Sequence, residues 1–383
     1  MNYVTFKGLK LSALGYGAMR LPTKDGAIDT ETADAIVKRA YDSGINYFDT
    51  AYGYHAGESE RFIGKSLSRF PRDSWYLASK FPGYEKRNAC RPAEIFEEQI
   101  QKCGVNYFDF YMLHNVCEYT LNNYFNEDFG VEKYLVEQKK AGRIKHLGFS
   151  VHARTDAFMQ FLDRFGDDME FCQIQLNALD WTLQDAKLKH EALTQRGIPI
   201  WVMEPVRGGQ LASFSEEKEA KLKAARTDDS IAAWTFRWLQ TLPNIGVILS
   251  GMTTMEQLED NLKTFGESKP LNPEEVALYT GIVSGLAELL PCTGCRYCCP
   301  GCPKNLDIPK FLALYNDCHF TPSLVAKMVI DAMKPSQRPS ACISCGKCTE
   351  ICPQGINIPE VLKELVEIVA GIKGFVAPIG EDD

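Results

Sequence analysis

The sequence predicts an α/β chain closed as a (β/α)8 barrel, followed by a small all-α unit. Three observations carry this. Strand-like and helix-like segments alternate through most of the first 265 residues. Polar or ionisable residues recur where those strands end, at Asp49, Lys80, His114, Ser150, Gln173 or Gln175, Asn177, Glu204 and Ser250. The cysteines change density after residue 290, with ten of the 14 falling between Cys292 and Cys352.

Taken in order, residues 3–6 and 9–14 flank Lys7-Gly8 and read as a hairpin, and Leu14-Gly15-Tyr16-Gly17 reads as the first strand of the series. Helix 30–43 leads to strand 45–50, helix 58–69 to strand 75–80, helix 93–103 to strand 108–114, and helix 131–141 to strand 144–150. Helix 155–165 precedes strand 171–177, helix 185–196 precedes strand 199–204, helix 230–241 precedes strand 245–250, and helix 255–265 closes the series. Eight β/α units in about 250 residues is the length of such a barrel. A doubly wound sheet is the alternative, but no G-x-G-x-x-G follows the first strand.

At 383 residues, 45% hydrophobic and 24% charged, the chain is long enough for one large domain and a smaller one. The net charge of −8 is spread without a basic block, which argues against nucleic acid and anionic membrane as partners. Met1-Asn2-Tyr3 opens directly into strand-like sequence and no apolar run has bilayer length, so a cytoplasmic location is expected. Cys90, Cys103, Cys117 and Cys172 are scattered and read as reduced thiols. The dense cysteines read as metal ligands, because a disulfide scaffold belongs to shorter, secreted chains.

The stretch Tyr47-Phe48-Asp49-Thr50-Ala51-Tyr52-Gly53-Tyr54 is the centre of the first unit. Tyr47 and Phe48 end a strand, Asp49 begins the polar residues after it, and Gly53 and Gly57 precede a helix-like run. In parallel α/β folds the chemistry sits at the carboxyl ends of strands. Singly, an aspartate caps a helix, a lysine lies on a surface, and a histidine is satisfied in a core. Asp49, Lys80, His114 and Tyr54 gathered at one barrel end are much harder to explain as packing.

Over residues 1–270 the chain resembles the aldo-keto reductase family. Asp49-Thr50-Ala51 with Tyr54 matches the family's D-[ST]-A-x-x-Y, while Lys80 and His114 end the third and fourth strands as in its catalytic tetrad. Lys145-His146-Leu147-Gly148-Phe149-Ser150 is similar to the segment whose serine contacts the nicotinamide amide, and Gln173 and Asn177 match a pattern on the sixth strand. Met203-Glu204-Pro205-Val206-Arg207-Gly208-Gly209 resembles the loop under the cofactor pyrophosphate, where Gly-Gly lets backbone N–H groups approach phosphate. The resemblance implies an NADP or NAD site that also draws on Gly17, Met19, Arg20 and His152, and on Ser250, Gly251, Met252, Gln257 and Asn261 of the adenosine segment. Family members that prefer NADPH carry a lysine and an arginine on the 2′-phosphate. Gly251 and Gln257 stand there in this chain, so weak discrimination against NADH is expected, with Arg207 the remaining candidate cation.

The implied chemistry is carbonyl reduction. Tyr54 supplies the proton, and the Lys80 ammonium is expected to lower its pKa from about 10. Asp49 holds Lys80 charged, and His114 donates a hydrogen bond to the carbonyl oxygen.

In the second unit Cys292, Cys295, Cys298 and Cys302 precede Pro303, and Cys342, Cys345, Cys348 and Cys352 precede Pro353. Both runs match the C-x2-C-x2-C-x3-C-P spacing of bacterial ferredoxin-type [4Fe-4S] ligands, whereas zinc sites use paired C-x2-C. The runs form an internal repeat, with Asp307-Ile308-Pro309 after the first and Asn357-Ile358-Pro359 after the second. Helix-like stretches 308–317 and 322–333 between them resemble the α-helical ferredoxin domains of multi-subunit oxidoreductases. That resemblance implies two [4Fe-4S] clusters with crossed fourth ligands. One takes Cys292, Cys295, Cys298 and Cys352, the other Cys342, Cys345, Cys348 and Cys302. Cys299 and Cys318 read as bystanders.

The expected organisation is a barrel at 1–272, a linking helix at 273–290 and a ferredoxin-type domain at 291–383. The implied function is NAD(P)H-dependent interconversion of a carbonyl and an alcohol, with Tyr54 as general acid/base and the clusters passing electrons or bracing the structure. A small-molecule carbonyl or alcohol is the expected substrate and a redox protein the expected partner. A reading from another class is an electron-transfer or nucleotide-sensing subunit with a non-catalytic barrel.

Overall fold

Short runs rich in β-branched and aromatic residues form eight strands: β1, Leu14–Gly17; β2, Tyr47–Asp49; β3, Tyr76–Pro82; β4, Phe108–Val116; β5, Ile144–Val151; β6, Cys172–Gln175; β7, Ile200–Met203; and β8, Ile245–Ser250. In this computed structural model, which describes residues 1–117, 120–153, 155–183, 186–286, 289–320, 324–331 and 333–372, they pair in parallel, each with the next, and β8 closes on β1. Helices cover the outside, so the strands are buried on both faces; β4 is buried throughout its length. The chain divides into two units, Met1–Gly285 and Leu286–Asp383.

The hairpin Tyr3–Phe6 and Leu9–Ser12 plugs the amino-terminal end of the barrel. Its Phe6 and Leu11 join Tyr47, Phe110, Phe171 and Trp201 in one buried cluster, with Phe6 edge-on to Trp201 at 5.1 Å. That packing gives one end of the barrel to stability and leaves the carboxyl ends of the strands to carry polar side chains.

Two elements differ from expectation. Helix Glu216–Ala225 carries no apolar stripe, burying Leu222 alone of its ten residues. Lys221–Glu217 and Lys223–Glu219 pairs at i,i+4 support it instead. The helix expected to link the two domains runs Pro273–Ser284 and lies in the first unit. It starts on a capping box from Asn272 and Glu275, with Pro273 at its first turn.

In the second unit, helices Ile308–Phe320, Leu324–Asp331, Lys347–Glu350 and Ile358–Gly371 surround a core that includes Leu306, Ile308, Phe311, Ile356, Ile358 and Leu362. The repeat is visible in the backbone. Gly294 and Ser344, Arg296 and Gly346, and Asn305 and Gly355 share positive φ at matching positions of the two runs. Cys302 N–H donates to Cys299 O at 3.1 Å and Cys352 N–H to Thr349 O at 3.2 Å. Ile308 and Ile358 each donate to the residue two before, at 2.9 Å.

Candidate active site

Asp49 is the last residue of β2, in register with Gly17 of β1 and Ala78 of β3. Lys80 on β3 stands opposite Met112 of β4, and His114 on β4 opposite Pro82. After β2 the chain turns back on itself, with His55 and Ala56 at φ +51° and +55°. That turn aims the Tyr54 ring over the strand ends. Lys80 Nζ donates to Tyr54 OH at 3.4 Å and to Thr50 O at 2.8 Å, and pairs with Asp49 Oδ1. All three ammonium protons are placed. The Tyr54 and His114 rings meet edge-on with centroids 6.2 Å apart, and Tyr84 faces His114 in the same way at 5.6 Å.

Burial governs the charges. Lys80 is fully buried and Asp49 and His114 nearly so. Desolvation pushes the Asp49 carboxyl up against the pull of Lys80, and pushes Lys80 down against the pull of Asp49. His114 is held well below its ordinary value, by burial first and then by the Lys80 charge, so its imidazole is neutral. The expectation that Lys80 lowers the Tyr54 pKa is corrected here. Burial, followed by the Asp49 carboxylate, drives the phenol well above 10. Tyr54 therefore keeps its proton.

Behind the four residues lies a buried carboxylate that the sequence reading missed. Glu60 Oε1 accepts from Ser79 Oγ at 2.5 Å and from Gln99 Nε2 at 2.6 Å, and Gln99 Nε2 also donates to Lys80 O at 3.1 Å. Burial raises Glu60 to about 6. The signal was present, because Glu60 falls on the face of helix Glu58–Leu67 that buries Ile63, Gly64 and Leu67.

The residues assigned to the cofactor divide. Ser150 Oγ and Gln173 Nε2 reach Met203 Sδ at 3.9 and 3.6 Å, which brings the ends of β5, β6 and β7 together. His152 donates its backbone N–H to Val116 O at 3.0 Å, and burial lowers its imidazole to about 4. Gly17 lies 3.3 Å from Ser250 O, measured from the Cβ it lacks, and the Met19 backbone accepts a hydrogen bond from the His55 ring. Val206 O accepts from Gly209 N–H and Leu211 N–H, and Pro205 and Met252 are buried. Asn261 Nδ2 donates to Ser250 Oγ at 2.9 Å.

Arg207 is turned inward. Fully buried, it donates from Nε to both oxygens of Asp180, at 3.1 and 3.2 Å. Gln175 and Asn177 also donate to Asp180 Oδ2, each at 2.7 Å. Gln257 Oε1 accepts Thr254 N–H at 3.3 Å in a helix capping box and Thr253 N–H at 2.8 Å beside it. Neither is placed as a 2′-phosphate ligand. The mouth does suit an anionic nucleotide at one point. Gly208 N–H and Arg20 Nη2 converge on one carboxylate, that of Glu204, at 2.7 and 3.1 Å. Gly209 beside them, at φ +99°, has open space where a Cβ would sit.

In the second unit Cys302 lines one small cavity with Cys342, Cys345 and Cys348. Cys298 is buried among the Cys299, Cys295 and Cys292 thiols. Among the described residues no three His, Cys, Asp or Glu side chains converge to hold a single ion. Four cysteines among the cavity's lining residues, beside Leu306, Ile308 and Leu362, are the donor type that an iron–sulfur cluster takes.

The parallel barrel brings an ammonium, a carboxylate, a phenol and an imidazole together at its strand ends. The chain belongs to the aldo/keto reductase family, whose model matches residues 13–283, and a 4Fe-4S dicluster domain matches residues 291–356. It is similar to an L-galactose dehydrogenase of Arabidopsis thaliana, at 26% identity over 296 residues, 71% of this chain and 89% of that protein. Similarity to the NADH-specific methylglyoxal reductase of Escherichia coli K12 is 23% over 303 residues, 66% of this chain and 90% of that one. An aldo/keto reductase of Klebsiella pneumoniae solved with NADP and acetate shares the fold, at a TM-score of 0.59 and 20% identity, covering 73% of this chain and 93% of that one.

Proposed function

We propose that the barrel interconverts a small carbonyl compound and its alcohol with NADH or NADPH, Tyr54 exchanging the proton. The observation that carries this is Lys80 Nζ bridging Asp49, Thr50 O and Tyr54 OH in a buried site. A bound nicotinamide nucleotide supplies or takes the hydride. The neutral His114 donates a hydrogen bond to the carbonyl oxygen and orients it. The protonated Tyr54 gives its proton to that oxygen as negative charge develops there. The tyrosinate left behind lies 3.4 Å from the Lys80 ammonium, so the ion pair that resists ionisation at rest compensates it once formed. In the oxidation direction the same residues run in reverse.

The two thiol groups are read as holding two [4Fe-4S] clusters, Cys302 joining Cys342, Cys345 and Cys348, and Cys352 joining Cys292, Cys295 and Cys298. The shared cavity supports the first assignment, and the backbone repeat supports the second.

The test is anaerobic turnover of a panel that includes methylglyoxal and L-galactose, with both nucleotides. Tyr54→Phe should lower kcat by about 10²–10⁴ while nucleotide binding persists. Binding without turnover in the wild type, across a broad panel, would instead favour the nucleotide-sensing reading.

A further inference from the structure

The cofactor loop and the adenosine segment lack the cations expected of them. Gly251 carries no side chain, Gln257 caps its own helix, and Arg207 is committed to Asp180. Arg20 takes the space instead. Its stem lies over Gly251, where a Cβ would stand 3.0 Å from Arg20 Cβ and 3.1 Å from its Cγ and Cδ. A side chain at position 251 would displace Arg20. Thr253 Oγ1 donates to Arg20 O at 2.9 Å, which fixes the backbone there. The guanidinium then reaches across to Glu204 Oε1 at 3.1 Å, with the Arg20 side chain 34% exposed. One residue thus spans the adenosine segment and the loop after β7.

Glu204 is held in an unusual posture. Its φ is +54°, uncommon for a residue with a side chain. Within its loop, Arg207 N–H, Gly209 N–H and Gln210 N–H all donate to backbone carbonyls. Gly208 N–H instead donates to Glu204 Oε2 at 2.7 Å. A guanidinium and a backbone amide therefore grip the two oxygens of one carboxylate. Phosphate offers the same edge of two anionic oxygens. Gly208 and Gly209 are exposed, so an anion can approach this backbone.

Within the pyrophosphate subsite that the family resemblance implies, we propose that the Glu204 carboxylate occupies the Arg20 and Gly208 N–H donors until the nucleotide displaces it. The proposal rests on the nicotinamide reading of the barrel mouth. No bond breaks in the exchange; one anion leaves the two donors and another takes them. Pyrophosphate is common to NADH and NADPH, so Arg20 sets affinity for both without choosing between them. Glu204 opposes both, because its charge competes for the same donors.

The experiment is a fluorescence titration of the full-length, cluster-loaded protein with NADH and, separately, NADPH. Arg20→Met should weaken both by about 10- to 100-fold, the loss of a charge-assisted contact, at an unchanged ratio of the two. Glu204→Gln should tighten both by about threefold or more, a direction that a merely structural role would not produce. Visible absorption of the clusters and far-UV circular dichroism report whether each variant is folded. If Arg20→Met fails to fold, the Glu204→Gln titration decides alone. Unchanged affinities in Arg20→Met, a loss confined to NADPH, or weaker binding in Glu204→Gln overturns the proposal. A folded wild type that binds neither nucleotide overturns the cofactor reading beneath it.

Discussion

Glu60 is a carboxylate with no exposed surface, two turns of chain past Tyr54 and tied through Ser79 and Gln99 to the backbone that carries Lys80. Lys102 Nζ is 4.0 Å from its second oxygen, too far to cancel the cost of burial. The result is a pKa raised from 4.5 to about 6, by desolvation first and against the hydrogen bonds of Ser79 and Gln99. Because the folded value exceeds the unfolded one, the stabilisation is complete below about 4.5 and is lost as pH rises through 6. The difference corresponds to about 2 kcal/mol. Glu60→Gln keeps a hydrogen-bonding side chain of the same shape and removes the titration. Thermal melts of the two proteins should therefore diverge between pH 5 and pH 8, the wild type losing ground at the higher pH. Parallel melting curves across that range would show that Glu60 keeps an ordinary pKa.

Helix Glu58–Leu67 can hold Glu60 against β3 only because it lies almost on helix Pro92–Cys103. Gly64 makes that approach possible, since a Cβ there would sit 2.0 Å from Cys103 O, a backbone atom that cannot swing aside. Gly64→Ala should cost about 1–3 kcal/mol through overpacking and reduce turnover as well, because the helix follows directly on the Tyr54 turn. A denaturant titration with an unchanged midpoint would show that the two helices separate freely. Elements of this kind were legible in the sequence wherever burial left a pattern. The eight strands read as apolar runs, and three of the four residues at the mouth, Asp49, Lys80 and His114, followed from where those runs end, with Tyr54 in the turn after Asp49. Glu216–Ala225 was not legible, since its helix rests on surface ion pairs and buries only Leu222. Arg207 was misread for a different reason. A cation in a Gly-Gly loop suits phosphate, and nothing local reveals that Asp180, 27 residues away in sequence, takes it inward. Arg20 became meaningful only when Gly251 was seen beneath its stem.

At the scale of the whole molecule, the second unit is built on a repeat in its backbone. The positive-φ pairs Gly294 and Ser344, Arg296 and Gly346, and Asn305 and Gly355 show two runs wound alike. In each, three cysteines at short spacing are followed by a tight turn at the fourth. Cys302 enters that turn through its bond to Cys299 O, and Cys352 through its bond to Thr349 O. Cys302 then lines a cavity with Cys342, Cys345 and Cys348 of the other run. If thiolates cross between runs, mutants should group by cluster and not by position in the chain. Cys302→Ser should share its spectra with Cys345→Ser, and Cys352→Ser with Cys295→Ser, each class losing one cluster first as iron falls from about eight per chain. Cys299→Ser and Cys318→Ser should hold about eight, since each of the two sites already has four thiols without them. Low-temperature electron paramagnetic resonance of the reduced variants, read beside iron content, separates the classes. Cys302→Ser falling in with Cys295→Ser would mean that each run ligates its own cluster, and the two halves would then be free to load independently.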